Sequence, residues 1–123
     1  MNDDTTAFVV EIAKTFIAML QVTAPKWEKG FFRFKSEDDN YGSNASYVIG
    51  NEAFLVGALR NGVFFDRANR IGRNLIESFG RTRGMFLLIA ENNFDYKIEF
   101  EWDDLDRWEI TKLDGGTGIP AGL

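Results

Sequence analysis

Residues 85–102 constrain the fold more than any other part of the chain. Residues 85–90 form an unbroken apolar run, which is typical of a central strand. After the turn-like residues 91–95, apolar and charged side chains alternate; the apolar ones are Tyr96, Ile98, Phe100 and Trp102, and the charged ones are Lys97, Glu99 and Glu101. This alternation predicts a strand with one packed face and one solvated face. The chain therefore has to build a sheet around these two strands.

Two other segments predict amphipathic helices. In residues 7–20 the apolar side chains recur at intervals of three and four, which places them on one helical face. We expect Thr5 or Thr6 to cap this helix and Pro25 to end it. Residues 61–84 carry a second apolar stripe at the same spacing and predict the second helix.

The remaining regular structure is predicted to be a hairpin with a short additional strand. Residues 27–35 are rich in aromatic side chains and break the helical period, which favours a strand. The polar residues 36–44 then predict a turn, and residues 45–49 return to strand composition. A third short strand is predicted at residues 53–56.

The order of these elements predicts an α+β fold, with an antiparallel sheet of four or five strands and two helices packed on one face. The chain has 123 residues and a mass of 14.0 kDa, which is the usual size of one domain. We assign that domain to residues 1–114. Residues 115–123 have little preference for helix or strand and predict an irregular tail along the surface.

The composition excludes several classes of enzyme. The chain has no cysteine and no histidine. It therefore has no thiolate or imidazole ligand for a metal, and no imidazole base for a serine or cysteine nucleophile. Acid–base chemistry in this chain would fall to carboxylates, Lys, Tyr or Arg. We expect no cofactor.

Charge is unevenly distributed along the chain. The net charge is −5, which disfavours nucleic acid and anionic membranes and favours a basic partner. Residues 85–114 hold nine acidic and three basic residues, whereas residues 58–84 hold six Arg and two acidic residues. The first residues are acidic, and no apolar run approaches the roughly 20 residues that span a bilayer. We therefore expect a cytoplasmic protein without membrane contact.

Three local patterns have simpler explanations than a catalytic or ligand site. The glycine-rich residues 115–118 lack the Lys-Ser/Thr pair and the following helix of a phosphate-binding loop. The carboxylates of residues 103–106 lack the spacing of a calcium loop, so we expect no metal site. Glu99 and Glu101 would lie about 6.6 Å apart on one face of any strand, so their spacing alone does not indicate catalysis.

Arginine and tryptophan residues also allow two interpretations. Arg67, Arg70 and Arg73 lie at helical spacing and could contact nucleic acid, but ion pairs with the acidic last third of the chain are favoured. Trp27 and Trp102 are expected in the core. The third tryptophan, Trp108, follows the last predicted strand and is expected to be partly exposed, as a residue type that is enriched in interfaces.

Two segments carry a resemblance to a known family. Residues 25–29 read Pro-Lys-Trp-Glu-Lys, and residues 94–104 read Phe-Asp-Tyr-Lys-Ile-Glu-Phe-Glu-Trp-Asp-Asp. Together with the amphipathic first helix, they resemble the YezG-like family of immunity proteins of bacterial polymorphic-toxin systems, over most of the chain. The resemblance implies a small cytoplasmic protein that binds and neutralises a cognate toxin domain, often a nuclease. It implies no catalytic residues, so we expect a protein that is not an enzyme.

Under this hypothesis an acidic strand face would match the basic substrate-binding surface of a nuclease. Two alternatives remain open: a regulatory or structural interaction module without a toxin partner, and a small carboxylate-based enzyme. The same residues could also serve only solubility. The predicted partner-binding residues are Glu99, Glu101, Asp103, Asp104 and Asp106, with Trp108 as a possible anchor.

Overall fold

A computed structural model describes residues 2–123 and contains two helices and one five-stranded antiparallel sheet, which confirms the predicted fold class. The strand order is β3-β2-β1-β4-β5, and every neighbouring pair is antiparallel. The elements are α1 (Asp3–Thr23), β1 (Lys29–Glu37), β2 (Asn40–Ile49), β3 (Glu52–Leu55), α2 (Gly62–Glu77), β4 (Arg83–Glu91) and β5 (Tyr96–Glu101).

Both helices pack on one face of the sheet, around a cluster of phenylalanine rings. Phe32 of β1 lies at the centre of this cluster. Its ring centroid is 5.8 Å from that of Phe16, 5.7 Å from that of Phe64 and 6.0 Å from that of Phe86. These residues come from α1, α2 and β4, so one aromatic side chain joins the two layers of the domain.

The opposite face of the sheet is covered by chain that contains neither helix nor strand. On this side Phe31, Met85, Leu87 and Ile89 are buried under residues that follow β5; these residues are Leu105, Trp108 and Ile110. Strand β4 is therefore buried on both faces. We refer to residues 103–123 as the C-terminal cover.

The predicted tail belongs to this cover. Residues 115–123 are irregular, as expected. They pack back on the preceding chain, because the backbone N–H of Gly118 donates to Thr111 O at 2.9 Å and that of Ala121 donates to Glu109 O at 2.9 Å. Pro120 is buried.

Helix α1 begins earlier than predicted. Its cap is Asn2, whose Oδ1 accepts from the backbone N–H of Thr5 at 2.7 Å, so the prediction of a threonine cap is wrong. Thr5 is instead buried, and its hydroxyl shares a 2.7 Å hydrogen bond with the hydroxyl of Ser78 beyond α2. At the other end Thr23 Oγ1 donates to Asn61 Oδ1 at 3.1 Å, so the two helices run antiparallel.

Helix α1 also corrects the expectation that no segment reaches the length of a bilayer span. It has 21 residues, and an 18-residue window within it has a mean hydropathy of 1.4, which by length and composition alone are enough to cross a membrane. A core helix of a soluble protein meets the same criteria. Here its apolar side chains, including Ile12, Phe16 and Leu20, are buried between the sheet and α2.

Helix α2 ends at Glu77, several residues before the predicted limit, and Gly80 follows with a φ of +75°. Within the helix Gly72 allows a close approach to β1. A methyl group at this position would lie 2.6 Å from Cδ1 of Phe34, a side chain that is itself fully buried. The helix can therefore pack at this distance only without a side chain at Gly72.

We predict that Gly72→Ala lowers the free energy of unfolding by about 1–2 kcal/mol, because overpacking against Phe34 outweighs the gain in helix propensity. Urea denaturation measures the change. Gly62→Ala is the matched control: it lies in the first turn of α2 with open space around the new methyl group, so its stability should stay equal or rise slightly. Equal stability of the two variants would contradict the proposed contact.

Candidate functional site

The candidate site lies on β5 and the first part of the C-terminal cover. Strand β5 is an edge strand, and its pairing with β4 places Glu99 opposite Leu87 and Glu101 opposite Met85. Glu99 and Glu101 therefore face the side of the sheet that carries the cover. The alternate residue Phe100 faces the helices, as the alternation predicts.

Glu101 is occupied by hydrogen bonds within the chain. Its Oε2 accepts from the backbone N–H groups of Asp103 at 3.1 Å and Asp104 at 3.3 Å, and its Oε1 accepts from Arg107 Nη1 at 2.9 Å. The side chain is only 18% exposed. These bonds lower the pKa of Glu101, the bond from Asp103 most, because they stabilise the charged carboxylate. Glu101 therefore shapes the turn after β5 and has little free surface.

Side chains of the sheet attach the cover to the second face through its backbone. Arg33 on β1 donates from Nε to Arg107 O at 2.8 Å and from Nη2 to Leu105 O at 2.9 Å. Asn44 on β2 donates from Nδ2 to Ile110 O at 3.0 Å. These three bonds satisfy carbonyl groups that have no strand partner.

Partial burial lowers the pKa of Arg33, and the nearby carboxylates of Glu109, Asp106 and Asp104 partly oppose this shift. An arginine retains its charge despite such a change, because its ordinary pKa lies far above neutral pH. Some of the acidic residues in the cover thus compensate a partly buried cation in addition to facing solvent.

Four of the predicted residues are exposed and follow one another along β5 and the turn after it; we call them the acidic surface. They are Glu99, Asp103, Asp104 and Asp106. Within residues 2–123 their one ion pair joins Lys35 Nζ to Asp106 Oδ1 at 3.8 Å, and the Asp106 side chain is 94% exposed. A pair so exposed is strongly screened by solvent. Apart from this weak pair and the attraction of Asp104 and Asp106 to Arg33, the acidic surface keeps its negative charge.

Trp108 contradicts the expectation of partial exposure. It is only 3% exposed and packs in the second apolar cluster beneath the cover. The guanidinium of Arg107 lies 4.4 Å from its ring centroid and shields it further. Its backbone is left-handed, with a φ of +60°, which is strained for a bulky side chain. Trp108 holds the cover in place, and no free face remains for a partner.

The other tryptophans are placed closer to expectation. Trp27 is 3% exposed and belongs to the main core. Trp102 is partly buried at the rim of that core; it stacks on Phe100 with a 5.7 Å centroid distance and lies under the guanidinium of Arg81 at 4.6 Å.

The arginines of α2 do not pair with the acidic last third of the chain, so that interpretation is wrong. Arg73 forms an ion pair with Glu77 at 3.4 Å and donates to Asp38 O. Arg67 and Arg70 are exposed and have no ion pair within residues 2–123. The helices cover one face of the sheet and the cover lies on the other, which separates these charges.

The glycine-rich residues 115–118 lie beside carboxylates, which do not suit a phosphate site. Gly115 and Gly116 line an open groove together with Glu109 and Asp114, whose carboxylates disfavour an anion. In residues 2–123 no group of three acidic side chains is arranged to hold a metal ion.

We predict that Arg33→Met lowers the free energy of unfolding by about 2–3 kcal/mol, because it leaves the carbonyls of Leu105 and Arg107 without their charged donor. Urea denaturation measures the loss. Arg70→Met is the control for removing a positive charge from an exposed site, and it should change stability little. A loss as small as that of the control would show that the Arg33 bonds do not hold the cover.

We also predict a pH-dependent effect of Glu101→Gln. The folded-state pKa of Glu101 is lowered, so its charge stabilises the protein above the pKa of the unfolded chain, and this stabilisation is lost as the pH falls through the folded-state value. The variant should be less stable than the unmodified protein at pH 7, and the difference should shrink in acid. Thermal unfolding from pH 7 to pH 3 tests this, with the exposed Glu99→Gln as control. A difference that does not vary with pH would contradict the hydrogen-bonded carboxylate.

A scan against models of known protein families gives no match to this chain, and a comparison with curated proteins gives none either.

Proposed function

We propose that this protein is an immunity protein that binds and neutralises a cognate bacterial toxin domain, in particular a nuclease, in the cytoplasm. The observation that carries the proposal is the acidic surface: four exposed carboxylates lie on an edge strand and the turn after it, and only Asp106 has an ion pair within residues 2–123. This charge is available to a basic protein.

The acidic surface has a fixed support, which favours its use in binding. The three hydrogen bonds to Glu101 hold the turn that presents Asp103 and Asp104. The bonds from Arg33 hold the backbone on both sides of Asp106. Charges on a preorganised turn lose less conformational entropy on binding than charges on a mobile loop.

Electrostatic attraction supplies the mechanism. A nuclease presents cationic groups where its substrate phosphates bind, and a rigid array of carboxylates accelerates encounter with such a surface. Once seated there, the immunity protein excludes the nucleic acid by occupying its place.

The carboxylate-based enzyme is less well supported than binding. A general acid that works near neutral pH needs a raised pKa, which requires burial or a neighbouring negative charge. The pKa of Glu101 is lowered instead, and Glu99 is exposed. An interaction module without a toxin partner would use the same surface, and the choice between these two depends on the identity of the partner.

Co-expression with the toxin domain encoded beside the gene tests the proposal. We expect rescued growth and a complex that survives purification. In the double variant Glu99→Lys with Asp103→Lys, the association rate should fall by about tenfold or more at low salt, and the effect should diminish at high salt. Surface plasmon resonance at two salt concentrations measures both quantities.

Glu11→Lys with Glu52→Lys is the matched control, because these exposed residues on α1 and β3 change the net charge equally. It should retain normal association. Unchanged protection by the Glu99/Asp103 variant, or an equal effect of the control, would contradict the assignment of the acidic surface. Failure of the unmodified protein to protect against the neighbouring toxin would contradict the immunity function.

A further inference from the structure

A second surface differs from the acidic surface because it carries aliphatic and arginine side chains. It lies at the end of the helical layer where α1 ends and α2 begins. Three aliphatic side chains there are almost wholly exposed: Val22 is 83% exposed, Leu59 101% and Val63 86%. Arg60 and Arg67 accompany them. We call these five residues the aliphatic–basic surface.

Hydrogen bonds bring these residues together. Thr23 Oγ1 donates to Asn61 Oδ1 at 3.1 Å, which joins the end of α1 to the start of α2. Asn61 also donates from Nδ2 to Gly57 O at 2.9 Å and closes the turn that carries Leu59. A shallow groove of about 270 Å³ between the helices is lined by Val22, Val63 and Arg67, among others.

The charge of this end of the molecule is positive in spite of the net negative charge of the chain. Arg60, Arg67 and Arg70 have no ion pair within residues 2–123, and Asp66 is the one carboxylate in residues 57–76. Residues 15–24, which form the last part of α1 and its C-cap, contain no charged residue.

The start of α2 adds to this positive field. Its first turn has no acidic residue, and the side chain of Asn61 makes no capping bond to it because it is engaged with Thr23 and Gly57. The positive end of the helix dipole is thus uncompensated on the side of the exposed aliphatic residues.

We propose that the aliphatic–basic surface binds reversibly to an anionic lipid bilayer. Leu59 protrudes from a turn, and a protruding aliphatic side chain is well suited to insertion among lipid chains, while flanking arginines bind lipid phosphates. This revises the expectation from net charge, because residues 57–76 carry four Arg against the single carboxylate of Asp66.

Two other partners fit the surface less well. Nucleic acid would use the arginines but gains little from three exposed aliphatic side chains, since its recognition relies on phosphate contacts and aromatic stacking. A symmetric second copy would bring Arg60 and Arg67 of the two molecules close together, where like charges repel. Neither partner would bind both the exposed aliphatic side chains and the arginines.

Sedimentation of the full chain with extruded vesicles tests the proposal. Phosphatidylcholine vesicles alone should bind little protein, and vesicles with about 30% phosphatidylserine should bind it in a salt-dependent manner. Leu59→Asp and Arg67→Glu should each weaken this binding by about tenfold, the first by removing insertion and the second by reversing a charge.

Leu113→Asp and Lys97→Glu are the matched controls, because these exposed residues lie outside the aliphatic–basic surface. They should bind the anionic vesicles as well as the unmodified protein does. Absence of vesicle binding, equal losses in the controls, or binding of a single-stranded oligonucleotide in preference to the vesicles would each overturn the proposal. None of these outcomes bears on toxin protection, which is tested separately.

Discussion

The central constraint on this fold is that β4 is apolar on both faces. Phe86 and Leu88 pack towards the helices, whereas Met85 and Leu87 point to the other side of the sheet and need a separate cover. The free energy of apolar burial favours any chain that shields them from water. In this protein that chain is irregular, and its backbone carbonyl groups are paired by Arg33 and Asn44. One buried strand thus determines both the helical layer and the path of the residues that carry the acidic surface.

The fold was largely predictable from local patterns. Period-two alternation in residues 96–102 and the helical stripes identify the sheet and helices, because these patterns record which side chains are buried. The cover was not predictable in the same way. Leu105, Trp108 and Ile110 have no regular spacing, and their burial depends on a surface formed by distant strands. Arg33, a charged residue among aromatic ones on β1, was the available signal that this second face meets polar chain.

In the candidate site, too, local patterns predict some features and distant contacts decide the others. Sequence placed Glu99 and Glu101 on one strand face, but it could not separate their roles, because both positions have the same alternation. Only the turn after β5 distinguishes them: it folds back so that its N–H groups meet Glu101 and leave Glu99 in solvent. Trp108 was misjudged for a related reason. A left-handed backbone at a bulky residue is rare, and here it turns the ring under the cover.

The way in which the C-terminal cover is attached decides which residues of the acidic surface can be substituted. The sheet holds it through main-chain oxygen atoms, which every amino acid possesses, so these bonds do not depend on the side chains at Asp103 or Asp106. Substitution at these positions can alter charge and shape while the loop keeps its course. A domain organised in this way can diversify its recognition residues without refolding, in the manner of variable loops on a constant scaffold.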